Sequence, residues 1–332
     1  MKKHVTAICL LSGGLDSSLA VRMMQEQDIE VTVVNFTGPF GACAGDAENS
    51  PAQSVARALG VALKVVPLKD DYLEIIRNPR HGYGSNVNPC IDCRIYMLKK
   101  AREIMEAESA SFVVTGEVVG QRPMSQRAVT MRQVEKASGL DGFLLRPLCA
   151  QLMPPTVPEE KGWVDRDRLL GISGRSRKEL MRLAGEKGVT GYSSPGGGCL
   201  LTDPNFSLRM RDLLAHDTLT FDAIELLKVG RHFRLPRGTK LVVGRNESDN
   251  ERLLALSRDS DTVIITESCP GPTAILRGAS APEEESLAAS IVARYSDGKA
   301  EGGATVSIKS STGEHLLYAG ALAPDDVGNL II

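Results

Sequence analysis

Over the first 150 residues short apolar runs alternate with amphipathic stretches. "VTAICLL" (5–11), "EVTVVNF" (30–36), "ALKVVPL" (62–68), "SFVVTG" (111–116) and "GFLLRPL" (142–148) read as strands. Between them, Ser17–Gln27 places Leu19, Val21, Met23 and Met24 on an apolar helical face. Ser50 reads as an N-cap with Pro51 in the first turn of a helix ending at Leu59, and Arg94–Glu108 reads as a charged helix. Strands alternating with helices in this way predict a parallel sheet covered on both faces.

The texture changes from Cys149. "CAQLMPPTVPEEKGW" is Pro-rich and irregular, which suits a domain edge. In "SGRSRKELMRLAGEKG", Ser176 and Glu179 have the spacing of a capping box. The stretch "GYSSPGGGCLLTDPNFS" (191–207) cannot form a regular element. Beyond Thr218, strands are expected near 239–243, 262–266, 304–309 and 315–319, with helices near 249–257 and 282–295. The expected organisation is an α/β domain over 1–150, a helical and loop segment over 151–217 that completes the site, and a smaller α+β domain over 218–332.

Composition narrows the function classes. The 332 residues exceed what one core usually holds, and 42% hydrophobic with 24% charged residues is ordinary for a soluble globular chain. A net charge of −2 leaves nucleic-acid binding to local patches, such as the basic residues of 171–182 and 228–240. No run approaches the ~20 apolar residues of a membrane span. The short apolar stretch after Met1-Lys2-Lys3 is too brief for a signal peptide, so a cytoplasmic location with no membrane partner is expected. Seven cysteines are then thiols rather than disulfides. Cys9, Cys149 and Cys269 lie in or beside apolar segments and read as packing residues, whereas Cys43, Cys90, Cys93 and Cys199 sit in loops.

"LLSGGLDSSLA" (10–20) carries the clearest chemistry. An apolar strand enters Ser12-Gly13-Gly14 and a helix opens at Asp16-Ser17-Ser18. Glycines let the backbone approach a phosphate, and the helix N-terminus offers N–H groups and a positive dipole end. Ser12, Ser17 and Ser18 add hydroxyls, and Asp16 can hold Mg²⁺. The loop lacks the G-K-S/T of a Walker motif and the spacing of a dinucleotide fingerprint. Its S-G-G-x-D-S pattern resembles the PP-loop of the ATP pyrophosphatases, which cleave ATP to AMP and pyrophosphate to activate a carbonyl. That resemblance implies an adenine-nucleotide alpha-hydrolase-like α/β fold and ATP with Mg²⁺ as cofactors.

The loop cysteines extend the resemblance. "NPCIDCR" (88–94) is similar to the N-P-D-x-x-C-N/D-R segment of the tRNA 2-thiouridylases, with that family's first catalytic cysteine at Cys93 and its aspartate at Cys90. "SSPGGGCLLTD" looks like the loop bearing their second catalytic cysteine, at Cys199. "VVTGEVVGQRPMSQ" (113–126) is closer to the tRNA 4-thiouridine synthetases, in which the turn at Thr115-Gly116 lines the ATP site. Cys90, Cys93 and Cys199 also supply the three thiolates with which cluster-dependent thiolases hold a 4Fe–4S cluster. Persulfide chemistry at Cys93 and Cys199, and a structural zinc completed by Cys43, remain open. Arg94, Arg122 and Arg146 are candidates for stabilising phosphate charge.

Residues 241–278 resemble the RNA-binding module of the NFACT family, at Gly244, Arg245, Asn246, Asn250, Pro270, Gly271 and Pro272. The resemblances together imply an ATP-dependent tRNA sulfurtransferase with catalytic Cys93, Cys199 and Asp16. Its partners would be tRNA and a sulfide or persulfide donor. Two other readings stay open: sulfur or nitrogen transfer to a small molecule, and an RNA-binding factor regulated by ATP.

Overall fold

Thr6–Leu10 forms β1, the middle strand of a five-stranded sheet in a computed structural model that describes residues 5–41, 50–193, 199–278 and 281–332. Its neighbours are β2 (Glu30–Thr37), β3 (Leu63–Pro67), β4 (Phe112–Val114) and β5 (Leu144–Leu145), all parallel in the order β3-β2-β1-β4-β5. The helices of this unit are α1 (Leu15–Gln25), α2 (Pro51–Leu59), α3 (Asp70–Arg77), α4 (Cys90–Ala107), α5 (Ala128–Ala137), α6 (Val157–Glu160) and α7 (Lys178–Glu186).

Alternation along β1 explains why its run is apolar throughout. Ala7 and Cys9 enter one core with residues of α1, α2 and α7, while Ile8 enters another with residues of α4 and α5. A strand covered on both faces has no polar side to present. Fully burying each large aliphatic side chain contributes about 1.5–3 kcal/mol.

Ser50 caps α2 as expected, its side chain accepting from the Gln53 N–H at 3.2 Å. The box expected at Ser176 and Glu179 does not form, because α7 opens from Arg177 with no side-chain cap. A box forms instead at Thr156 and Glu159 inside the Pro-rich stretch, with proline in its first turn. Helices α3 and α5 occupy segments in which no element was expected.

The chain divides into the compact units Met1–Thr202 and Asp203–Ile332. The division falls inside the 151–217 segment read as linking. The second unit is built on β6 (Arg231–Arg234), β7 (Lys240–Val243), β8 (Thr262–Thr266), β9 (Thr273–Arg277), β10 (Gly303–Ser310) and β11 (Gly313–Gly320). These form an antiparallel sheet in the order β11-β10-β8-β9-β7-β6. Its helices are α8 (Pro204–His216), α9 (Phe221–Leu227), α10 (Glu247–Leu256), α11 (Pro282–Arg294) and α12 (Pro324–Gly328). Leu241 and Val243 face the core that holds α11, and Val242 faces the smaller one that holds Leu226 and Leu253. Strands β6 and β9 join the four expected ones. Among the described residues no helix is long and apolar enough to cross a membrane.

Candidate active site

The sheet order reverses between β1 and β4, and open parallel sheets bind ligands in the crevice at such a switch point. Both sequence-marked loops leave the carboxyl ends of these two strands. After β1, Ser12-Gly13-Gly14 turns into the 11-residue helix α1 with Gly14 at the N-cap. Gly13 has φ +80°, and a Cβ there would lie 2.5 Å from the backbone of Pro51 and Ala52. Only glycine fits this position.

Hydroxyls hold the loop in shape. Ser17 and Ser18 each donate to the Gly14 carbonyl at 2.9 Å, and the Ser12 N–H donates to the Ser17 hydroxyl at 3.2 Å. Ser17 and Ser18 are buried. Asp16 stands in the first turn, 3.7 Å from the Arg177 guanidinium, and its Oδ1 is buried without a hydrogen bond.

After β4, Thr115-Gly116 closes on the same turn. A Cβ on Gly116 would overlap the carbonyl of Asp16 and come within 2.5 Å of the Ser17 nitrogen. The Thr115 side chain turns inward, its hydroxyl donating to Glu117 at 3.1 Å. Gly116 therefore meets the glycine loop, and the Thr115 hydroxyl does not. The signal for Glu117 lay in the quoted T-G-E, but its partners were not legible. It is 3.1 Å from Arg94 and 3.1 Å from Arg146, which also reaches Glu135 at 2.6 Å. Burial pushes the Glu117 carboxyl up, but Arg94 and Arg146 outweigh it and hold it below the usual carboxylate range. Of the three arginines expected to face phosphate, Arg94 and Arg146 are thus committed to buried carboxylates, while Arg122 is exposed.

The thiols gather at the start of α4. The helix begins at Cys90, four residues before the expected Arg94, so Cys90 and Cys93 share its first turn and one face. Asp92 between them is buried and accepts from the His81 backbone at 2.8 Å, while its other oxygen is 2.7 Å from His81 Nδ1. Cys90 donates to Ser125 at 3.3 Å, and Cys93 lies 3.2 Å from the Tyr72 hydroxyl.

Two backbone ties bring in the distant cysteine. The Asn86 side chain donates to the Thr202 carbonyl at 2.9 Å, and the Leu200 N–H donates to the Phe40 carbonyl at 3.2 Å. Cys199 precedes this short turn. Upstream on the same segment, the Ser193 N–H donates to the Gly13 carbonyl at 2.9 Å, pinning the segment to the glycine loop. Cys43 lies outside the described residues.

Burial pushes the Cys93 thiol up to about 11 against the opposing pulls of Tyr72 and Arg94, and Cys90 and Cys199 raise it further. Burial likewise raises Cys199, with Cys90 adding to the rise. The three thiols therefore share one electrostatic neighbourhood. Among the described residues no three His, Cys, Asp or Glu side chains converge closely enough to hold a metal ion. Three cysteine thiolates are nonetheless the soft donor type that suits iron–sulfur or zinc. Cys149 is excluded from the group: it is buried and donates to the Glu117 carbonyl at 3.2 Å.

In the second unit all seven residues quoted for the RNA-binding resemblance line one cleft. Comparison with known proteins divides the chain in the same way. Residues 3–151 match a family described as thiamine biosynthesis protein (ThiI), and residues 230–329 match one described as NFACT protein RNA binding domain. The tRNA-specific 2-thiouridylase MnmA of Syntrophotalea carbinolica is 31% identical over 123 residues, 34% of this chain and 34% of its own. A probable tRNA sulfurtransferase of Thermus thermophilus is 32% identical over 146 residues, 42% of this chain and 34% of its own. The solved U34-tRNA thiolase NcsA from Methanococcus maripaludis with its 4Fe–4S cluster is 16% identical with a TM-score of 0.34, covering 66% of this chain and 75% of that one. The chain spans about a third of the length of the first curated relatives it matches. It thus joins a PP-loop segment similar to the ThiI family and to tRNA thiolases with a C-terminal segment similar to the NFACT RNA binding domain.

Proposed function

We propose that this chain is an ATP-dependent tRNA sulfurtransferase that forms a thiouridine. The observation that carries the reading is the Ser193–Gly13 tie together with the Asn86–Thr202 tie: one segment links the glycine loop to the paired cysteines of α4. Anion-binding and sulfur-bearing groups therefore share the carboxyl end of one sheet.

In this reading the backbone N–H groups at the start of α1 take the phosphates of ATP, and Asp16, whose Oδ1 makes no hydrogen bond and lies 3.7 Å from Arg177, would hold Mg²⁺. The carbonyl oxygen of a uridine attacks the α-phosphorus, the bond to pyrophosphate breaks, and AMP remains on the base. Sulfide adds at the activated carbon, the C–O bond breaks, and AMP leaves with the former uridine oxygen. Cys90, Cys93 and Cys199 would hold a 4Fe–4S cluster, which would supply soft-metal binding of that sulfide. The raised Cys93 and Cys199 thiols support a ligand role over a free nucleophile, since a protonated thiol reacts slowly and a metal displaces its proton.

Nucleoside profiling of tRNA from a deletion strain tests the reaction. One thionucleoside should vanish and return with the wild-type gene but not with Cys93→Ala or Cys199→Ala. An unchanged thionucleoside profile would overturn the proposal. Anaerobic purification should give iron, sulfide and broad absorbance near ~400 nm. Iron-free protein that still thiolates tRNA would remove the cluster and leave a persulfide on Cys93 or Cys199 as the sulfur carrier.

A further inference from the structure

A cleft of about 330 Å³ opens in the second unit between β6, the turn from β7 into α10, the turn before β9 and the end of α11. Its walls are built to be held open. Asn250 accepts from the Thr273 N–H at 3.0 Å and donates to the Gly271 carbonyl at 3.4 Å, fixing the Pro270–Pro272 turn. A Cβ on Gly244 would collide with the Asn250 side chain, so the strand end must be glycine for this brace to form.

The charges within the cleft are not equivalent. Arg245 is committed to Asp249 at 2.6 Å. Arg231 lies over the Tyr295 ring, its Cζ 4.6 Å from the centroid, and donates to the Gly244 carbonyl at 3.2 Å. Among the described residues it has no carboxylate partner. The N-terminus of the 10-residue helix α10, capped by Asn246, opens into the same space. Glu247 and Asp297 also line it, which disfavours a polyphosphate and leaves acceptors for the amino or hydroxyl groups of a nucleoside.

The volume lies at the lower end of the roughly 300–1,000 Å³ range of small-ligand sites, enough for one nucleotide and too narrow for a duplex. An arginine stacked on an aromatic ring offers a flat cationic platform of the kind on which unpaired bases stack. We propose that this cleft takes one unpaired nucleotide of an RNA strand, its base against the Arg231–Tyr295 platform and its phosphodiester at the start of α10. The inference rests on the reading of this unit as RNA-binding and adds to it a site and a preference for single strands.

Fluorescence anisotropy of the full chain with a short unstructured oligoribonucleotide, and with the same sequence as a blunt duplex, tests it. The single strand should bind about ten-fold tighter than the duplex. Arg231→Gln, checked for an unchanged melting temperature, should lose about ten-fold on the single strand, the scale of one base stack. Its slope of log K against log salt should change by less than the roughly 0.7 of one phosphate contact on a single strand, because Arg231 meets the base and the phosphodiester sits at the start of α10. Ultraviolet crosslinking of the wild-type protein should map to Tyr295, which keeps the test independent of any variant's folding. RNA binding that Arg231→Gln leaves intact, or that is equal for the duplex, overturns the cleft while the RNA-binding reading stands. A wild-type protein that binds neither RNA overturns that reading as well.

Discussion

Each unit sets a carboxylate between two cations, and the two clusters do different work. In the first, Glu117 holds Arg94 and Arg146, and two of the three members border the candidate site. Arg94 follows Cys93, and the Glu117 carboxylate accepts from Thr115, beside Gly116. In the second, Asp212 of α8 holds Arg234 of β6 at 2.6 Å and Lys240 of β7 at 2.5 Å. That cluster fastens a helix to a sheet and touches none of the cleft residues. The same ionic motif thus frames the proposed site in one unit and serves as a clamp in the other.

Breaking the frame should have the largest effect. Glu117→Ala leaves Arg146, only 3% exposed, short of one partner, at a cost of about 3–5 kcal/mol by denaturant unfolding. Sulfur transfer should vanish with it, because the start of α4 and the Thr115-Gly116 turn lose their common anchor. Unchanged thiolation would show that the frame is only structural.

The clamp supplies the contrast. Asp212→Asn should cost about 3 kcal/mol in the second unit's unfolding and leave ATP binding by the first unchanged. Burial pushes the Asp212 carboxyl up, yet Arg234 and Lys240 hold it below its usual value, and burial pulls the Lys240 ammonium down. With its folded pKa depressed, Asp212 contributes stability that is present above the unfolded carboxylate pKa of about 3.9 and lost as pH falls through the lower folded value. The wild-type protein should therefore lose stability below about pH 4 more steeply than Asp212→Asn.

Smaller changes sharpen the picture of the site itself. Gly13→Ala puts a Cβ 2.5 Å from Pro51 and Ala52 at φ +80°. It should weaken ATP binding about ten-fold or more in calorimetry, corresponding to about 1.4 kcal/mol or more of strain. Asn86→Ala removes the bond to Thr202 and should cost about 1 kcal/mol of stability. It should also slow formation of a Cys93–Cys199 disulfide under mild oxidation, and an unchanged rate would show that the Leu200–Phe40 bond suffices.

Much of the first unit was legible in the chain because apolar period and turn chemistry are local. Ser50 capped the helix it announced, and the glycine loop emerged where strand and helix met. Misreadings arose where local signals compete. Ser176 and Glu179 have capping spacing, but α7 starts one residue later, while Thr156 and Glu159 form a box in a stretch that looked merely irregular. Strand β6, "RHFR", was missed because its two ends are arginines and only its middle is buried.

What the sequence determined by itself is the set of groups: glycines where a Cβ cannot stand, hydroxyls beside a helix start, and cysteines outside the apolar runs. Tertiary structure decided their partners. Arg146 reads as a candidate phosphate ligand, yet the fold seats it between Glu117 and Glu135. Cys199 stands more than a hundred residues from Cys93, and bonds from Asn86 and Phe40 draw its turn to the head of α4. Residue type and spacing are fixed along the chain, whereas a charge or a thiol takes its role from neighbours that only the folded sheet brings within a few ångströms.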